Sequence, residues 1–323
     1  MRRLLLVALL CSQTAFGLGV KYKKIDLDRL KNNVEKLTSI GSRFAVDKKH
    51  NFSMKRPKAR DEKVAFIEKE LQSYGYATKR EKFTSGKDSY FPGTEGINIV
   101  AFKKGRTSKV IELGAHYDTA GVAGADDNIS GTVGVIETAR LLALSETESS
   151  IRFILYDLEE IGLAGSMHHV ENLKANSSAV DGAYVFEMIG YTSREKDSQH
   201  SPVRIPGIFN PPTIGDFILV VGNLKSVGLA KHYLKQAKTT GLKTYDAKRI
   251  GVLFKDSARS DHKPYWDAKI PAIMITDTAN FRNPHYHKHS DEQGTLDFKF
   301  MSQVIDTMVQ GLKTYSMTKA ASI

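Results

Sequence analysis

Five side chains that can bind metal ions follow or adjoin short apolar runs at widely separated points of the sequence: His116, Asp127, Glu160, Glu187 and His287. Such runs are typical of buried strands, and the carboxyl ends of parallel strands meet at one edge of a sheet. We therefore expect the five side chains to converge at that edge. Imidazole nitrogen with carboxylate oxygen suits zinc, although manganese and cobalt use the same atoms. The sequence thus predicts a metal site, and we expect two ions.

The first of these side chains, His116, follows the apolar run Val110 to Ala115 and stands two positions before Asp118. In an extended chain, residues two apart face the same side. Asp118 can therefore accept a hydrogen bond from one imidazole nitrogen while the other nitrogen binds metal. By itself, a His-x-Asp sequence is more often a surface pair, so the later segments must decide.

Two adjacent carboxylates, Asp126 and Asp127, lie in the turn-forming sequence GADDNISG ahead of a predicted helix. A single aspartate at such a place commonly caps the helix. Two consecutive carboxylates exceed the need of a cap, and crowded like charges in a partly buried loop are costly unless a cation neutralises them. The pair therefore favours metal binding.

Three acidic residues, Asp157, Glu159 and Glu160, follow a second apolar run, Ile151 to Tyr156. Neighbouring side chains in irregular chain can project in different directions. We therefore expect Glu160 to bind a metal and Glu159 to act as general base toward the water that the metal activates. A solvated acidic loop is the alternative interpretation of this segment taken alone.

Glu187 and a group of histidines complete the set. Glu187 follows the apolar run Ala183 to Phe186, as the other acidic candidates follow theirs. The loop FRNPHYHKHSDEQGTLDF contains His285, His287 and His289. Only one of the three histidines needs to be a ligand, and alternating histidines are also compatible with an ordinary polar loop.

The order of these motifs resembles the co-catalytic zinc aminopeptidase family, which also contains glutamate carboxypeptidase II and, more distantly, glutaminyl cyclases and the transferrin receptor. The motifs are HYD, GADDNISG, DLEEIGLAGS, EMIGY, SDHKPYW and PHYHKHSD. They extend over most of the chain, from about Asn98 to Phe298. Six motifs in one order make the match specific.

The resemblance assigns a role to each candidate. It implies that His116 and Glu160 bind separate metals, that Asp127 bridges the two, and that Glu159 is the base. It also implies that His287 binds the second metal ion, not the one bound by His116. His285 and His289 have no counterpart among the family's ligands. A further implication is a cis peptide bond after Asp127.

Two positions are less settled by the resemblance. Many members carry aspartate where this chain has Glu187, and the longer side chain must fold back or its backbone must retreat to reach a metal at about 2.0–2.2 Å. Without Glu187 as a ligand, a one-zinc enzyme is expected. Tyr286 stands where some members donate a hydrogen bond to the oxyanion, and an ordinary packed aromatic is its equally weighted alternative.

The activity implied by the resemblance is that of an aminopeptidase acting on peptides with a free amino terminus. A glutaminyl cyclase with one zinc is one alternative on the same scaffold. A carboxypeptidase is another, in which Arg259 or Arg282 would grip a substrate carboxylate, although either arginine could equally be an ion-pair partner. A non-catalytic binding protein would be expected to lose ligands or base, and all are present here.

The first residues predict export. Met1-Arg2-Arg3, the apolar run LLLVALL and small residues near Gly17 form a secretory signal that would be cleaved after residue 17. The apolar run is too short to span a membrane. Cys11, the chain's only cysteine, lies within this signal, so the mature protein would hold neither disulfides nor cysteine-bound zinc. We predict a bacterial protein of the periplasm or the exterior.

Composition bounds the partners and the fold. The formal net charge is +11, and basic clusters at 55–60 and 103–106 could attract acidic polymers. Such clusters are more often solvated surface lysines and arginines. The sequence shows no nucleic-acid-binding fold beside them. Residues 18–323 suit one catalytic domain with no dividing linker. The prolines and charges of 193–212 predict a long loop over the site, with a disordered connection as the alternative.

Alternating strand and helix patterns predict a three-layer α/β/α fold with a mixed, mostly parallel central sheet, of the zinc-exopeptidase type. The predicted strands are Asn98–Phe102, Val110–Ala115, Ile151–Leu155, Ala183–Phe186, Phe217–Val221 and Ala272–Thr276. The predicted helices are Leu27–Leu37, Glu62–Tyr74, Thr132–Leu144, Lys225–Lys238 and Phe298–Tyr315.

Overall fold

The chain is built around an eight-stranded sheet. The computed structural model describes residues 24–46, 52–87, 89–205, 207, 210–249 and 254–315, so the predicted signal segment lies outside the described residues. The strands are β1 (Phe44–Val46), β2 (Phe52–Met54), β3 (Thr78–Thr84), β4 (Glu95–Lys103), β5 (Val110–His116), β6 (Ser150–Tyr156), β7 (Gly182–Glu187), β8 (Ile218–Val221), β9 (Thr244–Ala247) and β10 (Ala272–Thr276). Strands β1 and β2 form a separate antiparallel pair.

The central strands of the large sheet run in one direction. The spatial order is β3-β4-β6-β5-β7-β10-β8-β9, and β6, β5, β7 and β10 are mutually parallel. Strand β4 is antiparallel to β6, and β8 is antiparallel to β10. The carboxyl ends of four neighbouring strands therefore meet at one edge, which is where the predicted site residues were expected.

Helices cover both faces of the sheet. They are α1 (Leu27–Ile40), α2 (Ala59–Ser73), α3 (Gly131–Leu142), α4 (Ala164–Ala175), α5 (Val227–Thr240), α6 (Lys263–Asp267) and α7 (Phe298–Thr314). Alternate strand residues point to opposite faces. Phe153 and Leu113 pack with α1, α2, α3, α5 and α7, whereas Ile154 and Tyr156 pack with α4 and α6. The predicted three-layer α/β fold with a mixed sheet is confirmed.

Local sequence signals fix the helix starts. The Asp26 carboxylate accepts from the backbone N–H groups of Asp28 and Arg29 at the start of α1, and Asp297 does the same for α7. Each such cap contributes about 1 kcal/mol. Among the described residues, every helix falls short of the length and apolar character that a membrane crossing requires.

Gly165 allows helix α4 to begin against the sheet. A Cβ at this position would lie 2.3 Å from the main-chain oxygen of Asp157 and 2.5 Å from Oδ1 of Asn98. Only glycine permits so close an approach. The close packing of α4 holds the chain between Asp157 and Gly165 against the ends of β4 and β6, and this chain carries Glu159 and Glu160.

A buried ion network joins α4 to the sheet. Nδ1 of His169 lies 2.8 Å from Glu81 on β3, and Nε2 lies 3.3 Å from Glu112 on β5. Arg152 also pairs with Glu112, and the hydroxyl of Tyr265 donates to it at 2.7 Å. Burial disfavours the imidazolium, but Glu112 and Glu81 outweigh burial and raise the pKa of His169 to about 9.

We expect this network to make stability depend on pH. The folded-state pKa of His169 lies above its unfolded value of about 6.5, so its stabilisation is fully present below about pH 6.5 and is lost as pH rises through about 9. Urea denaturation of the wild type and of His169→Gln should show a difference of about 3 kcal/mol at pH 6 that shrinks towards zero by about pH 9.5. A difference that does not change with pH would contradict this assignment.

Candidate metal centre

His116 and Glu187 are the last residues of adjacent parallel strands, β5 and β7. Their side chains face each other, with Nε2 of His116 3.4 Å from Oε2 of Glu187. The same imidazole nitrogen lies 3.6 Å from Oδ1 of Asp127. The three side chains form one group whose potential ligand atoms all lie within 4.8 Å of one another. Glu187 therefore reaches the site despite its additional methylene.

Asp127 stands at a kink in the segment Ala125–Ser130, ahead of α3, where its own backbone and that of Asn128 are non-helical. The peptide bond between them is cis, as the resemblance implied. The carboxylate of Asp291 accepts from the backbone N–H groups of Asp126 at 2.9 Å and Asp127 at 3.1 Å. Asn128 donates to the main-chain oxygen of Phe186 at 2.9 Å. These bonds fix the turn to β7 and to the histidine-containing loop.

A second group lies on the other side of Asp127. Nε2 of His287 is 3.0 Å from Oδ2 of Asp127 and 3.3 Å from Oε2 of Glu160. The ligand atoms of these three residues again lie within 4.8 Å of one another. Asp127 thus directs one oxygen towards His116 and the other towards His287, so the two groups share a single carboxylate.

The two groups fit divalent cations. Nε2 of His116 and Oε1 of Glu160 are buried atoms without a hydrogen-bond partner in the described part of the chain. Burial and the negative charge of Asp127 raise the pKa of Glu160 to about 7, which shows that these carboxylates crowd one another unfavourably. Each group offers one imidazole nitrogen and two carboxylates, a ligand set typical of zinc in hydrolases.

Glu159 belongs to neither group but lies beside both. Its side chain is 10% exposed, and Oε2 lies 4.0 Å from Nε2 of His116. Burial raises the pKa of Glu159 well above its ordinary value, although the positive charge of His116 opposes the rise. The carboxylate of Glu159 therefore lies next to the candidate metal groups without belonging to either.

Asp118 holds in place the acidic turn, residues 157–160, which follows β6. Its carboxylate accepts from the backbone N–H groups of Glu159 at 3.1 Å and Glu160 at 3.2 Å. The contact with His116 differs in detail from the one predicted, since Nδ1 lies 3.2 Å from the main-chain oxygen of Asp118 and 3.4 Å from Oδ1. Because Asp118 contacts both segments, it positions His116 relative to Glu159.

Tyr286 lies at the cavity wall next to the second group. Its ring stacks on His287 with centroids 3.9 Å apart, and Nη2 of Arg259 donates to its hydroxyl at 3.1 Å. Arg259 is half-exposed, lines the same cavity and lies 3.5 Å from Asp256. Arg282, in contrast, is buried and donates to Gln199 and to the main-chain oxygen of Phe217. Of the two arginines considered above, only Arg259 can meet a ligand.

Three residues near the metal ligands were given no role by the sequence. The hydroxyl of Ser260 donates to Glu187 at 2.6 Å, and Asp291 supports the turn of Asp127. Burial raises the pKa of Asp261 to about 7, although the charge of nearby His116 opposes the rise. The only sequence signal was their membership in the motifs SDHKPYW and PHYHKHSD. His285, which lies 2.9 Å from Ser290, and the exposed His289 belong to neither metal group.

A cavity of about 800 Å³ opens over the candidate centre. On one side of the ligands it extends into an apolar recess lined by Phe217, Leu219, Val221, Ala247, Phe254 and Met274. On the other side it is lined by Tyr90, Phe91, Ala120, Gly162 and Leu163. Residues Gln199 to Val203 also line it, so the segment 193–212 reaches the site as predicted.

An open α/β sheet with imidazole and carboxylate ligands gathered at the carboxyl edge of its parallel strands defines an α/β metallohydrolase. Residues 98–312 match the model of Peptidase family M28, and the chain belongs to this family. The predicted family and the predicted enzyme class, a metallo-exopeptidase, are thereby confirmed.

Relatives by sequence agree with this membership. The uncharacterized protein YfbL of Escherichia coli is 34% identical over 228 residues, which are 66% of this chain and 69% of YfbL. Leucine aminopeptidase 1 of Fusarium vanettenii is 25% identical over 301 residues, which are 86% of this chain and 67% of that protein.

Solved structures share the fold. BSAP, a zinc aminopeptidase from Bacillus subtilis, has a TM-score of 0.68 at 16% identity, covering 90% of this chain and 95% of BSAP. Glutaminyl cyclase of Porphyromonas gingivalis has a TM-score of 0.66 at 18% identity, covering 90% of this chain and 98% of the cyclase. Both likenesses concern the fold alone.

Proposed function

We propose that this chain is an exported aminopeptidase that binds two zinc ions, one at each group that shares Asp127. It would hydrolyse the first peptide bond of substrates with a free amino terminus. The observation that carries the proposal is the shared carboxylate, with Oδ1 directed towards His116 and Oδ2 towards His287. Glu159 stands beside this pair and outside both ligand sets.

The residues around the candidate centre have separate roles in the proposed hydrolysis. Two divalent cations held there would lower the pKa of a water molecule far below its bulk value, towards about 7, and polarise the substrate carbonyl. The carboxylate of Glu159 accepts a proton from the attacking water and donates it to the leaving amine. The hydroxyl of Tyr286, which Arg259 orients, donates a hydrogen bond to the oxygen that becomes negative.

The apolar recess supports a preference for large apolar first residues. The recess is formed by strands β8, β9 and β10 together with Phe217 and Phe254. Burying one leucine or phenylalanine side chain contributes about 1.5–3 kcal/mol, which a glycine or a charged residue cannot gain. An exopeptidase that removes one residue needs an enclosed pocket for that residue and an opening for the rest of the substrate peptide.

The alternatives are less well supported by the site. A cyclase acting on glutamine gains little from an apolar recess, because the amide needs polar partners when buried. A carboxypeptidase needs a cation for the terminal carboxylate, and Arg259 is already engaged with Tyr286 and Asp256. A non-catalytic role leaves the juxtaposition of Glu159 with two metal groups unexplained.

Cleavage of leucine amide but not of N-acetyl-leucine amide is the expected result for the zinc-loaded protein. The free ammonium group distinguishes the two compounds, and an aminopeptidase site has evolved to accept it. Release of ammonia measures both reactions directly. Equal cleavage of the two amides would reject the aminopeptidase proposal, and formation of pyroglutamate from a glutaminyl peptide with neither amide cleaved would favour the cyclase.

A further inference from the structure

The described part of the loop between β3 and β4, residues 85–87 and 89–94, lies at the same edge of the sheet as the metal groups. Strand β4 is antiparallel to β6, with Ile99 opposite Leu155, so the first residues of β4 lie near the carboxyl end of β6. The acidic turn follows that end of β6. The backbone N–H of Tyr90 donates to the main-chain oxygen of Ile161 at 3.1 Å, and Ser89 donates to the same oxygen at 2.7 Å.

Tyr90 is the most exposed large hydrophobic side chain in the described part of the chain. Its relative exposure is 76%, although it lines the cavity together with Phe91. The ring of Phe91 stacks on buried Phe44 with centroids 5.9 Å apart, which holds the loop from below. A large aromatic ring exposed beside a binding cavity gains energy when a ligand covers its apolar face.

The strand order separates Tyr90 from the apolar recess. The order β4-β6-β5-β7-β10-β8 places the loop of Tyr90 at one end of the edge and the recess, on β10 and β8, at the other. On the three strands between them, His116 and Glu187 are the last residues of β5 and β7, and Glu160 follows β6. A substrate whose first side chain fills the recess, and whose scissile bond lies at the metal groups, leads its second residue along this edge towards Tyr90 when it continues in the same direction.

We propose that Tyr90 determines specificity for the second residue of the substrate, by stacking on a large apolar or aromatic side chain. The inference rests on the proposed aminopeptidase function and extends it to the leaving part of the peptide. Residues 85–94 precede the segment that matches the family model, 98–312, so Tyr90 is a feature of this chain and not of the matched segment.

The test compares three substrates that share the first residue: leucyl-phenylalanine, leucyl-glycine and leucine amide. We expect Tyr90→Ala to lower kcat/KM for leucyl-phenylalanine about tenfold, in line with the loss of one aromatic contact. The other two substrates should change less than about twofold. Tyr90→Phe should behave like the wild type, because the ring and not the hydroxyl makes the contact.

Leu224→Ala is the matched control, since Leu224 is 74% exposed and follows β8 at the opposite edge of the sheet. It should leave all three substrates unchanged. A loss by Tyr90→Ala that is equal for the three substrates, or no loss at all, would overturn the inference. Failure of the wild type to cleave leucine amide would instead refute the proposed function.

Direct binding gives a second measurement that does not need turnover. In a Glu159→Gln background, the dissociation constant of leucyl-phenylalanine should rise about tenfold on adding Tyr90→Ala, while that of leucyl-glycine stays constant. Equal effects on both peptides, or undetectable binding of both with the Tyr90 ring intact, would also overturn the role of Tyr90.

Discussion

Replacement of Glu159 by glutamine is expected to reduce kcat by about 10²–10⁴-fold while the protein keeps its fold and its zinc. Glutamine preserves the size of the side chain but cannot accept a proton from water. Glu159 is 4.0 Å from His116 and lies outside both ligand groups, so the change removes no metal ligand. The rate should be measured with leucine amide at saturating concentration.

The matched control is Glu171→Gln, which makes the same change at an exposed position on α4. It should leave kcat unaltered. Zinc content and circular dichroism of the Glu159 variant should equal those of the wild type, which separates lost chemistry from lost structure. If kcat falls by less than about threefold, another group is the base.

Replacement of Asp127 by alanine is expected to have a still broader effect, because both metal groups lose their shared carboxylate. The variant should bind little zinc at either group. The value of kcat/KM should fall by at least about 10³-fold, since the pKa of the attacking water then stays near its high bulk value. Zinc content and the hydrolysis of leucine amide measure the two consequences separately.

The neighbouring Asp126 offers a control within the same turn. Its carboxylate accepts from the backbone N–H of Gly190 at 3.0 Å and from Asn283 at 2.7 Å, and it belongs to neither metal group. Asp126→Asn should therefore keep both zinc ions and most of the activity. Similar zinc loss in the two variants would show that the turn as a whole, and not the oxygens of Asp127, governs metal binding.

The predicted core strands were recovered because their burial on both faces leaves continuous apolar runs. Five of the six begin and end within one residue of the observed bounds, and Ala272–Thr276 coincides with β10. The sixth, β4, begins three residues before its predicted start, at Glu95. The helix predicted over Lys225–Lys238 starts later, at Val227, because the turn Leu224–Ser226 precedes it.

The elements that were missed lack such a pattern. Strand β3 has the charged sequence TKREKFT and lies at the sheet edge, where main-chain pairing with β4 holds it more than side-chain burial does. Strand β9 occupies the other edge, and β1 and β2 have three residues each. Helix α6 has only five residues, with a proline in its first turn. It is too short for apolar residues to repeat at the helical period.

The sequence predicted which side chains would lie together, because each candidate follows a recognisable strand or belongs to a motif; that they bind metal stays a prediction. Sequence alone could not choose between Asp126 and Asp127, since both are buried and only the direction of their side chains separates them. The supporting contacts of Asp291 and Ser260 join segments far apart in the chain. Such contacts carry no local sequence signal.

The number of zinc ions bound by the purified wild type tests the central claim most directly. Metal analysis after dialysis against trace zinc should give close to two equivalents per chain, and one each for His116→Ala and His287→Ala. This outcome would establish two adjacent sites that share Asp127. A single equivalent in the wild type, lost entirely with either histidine, would contradict the account.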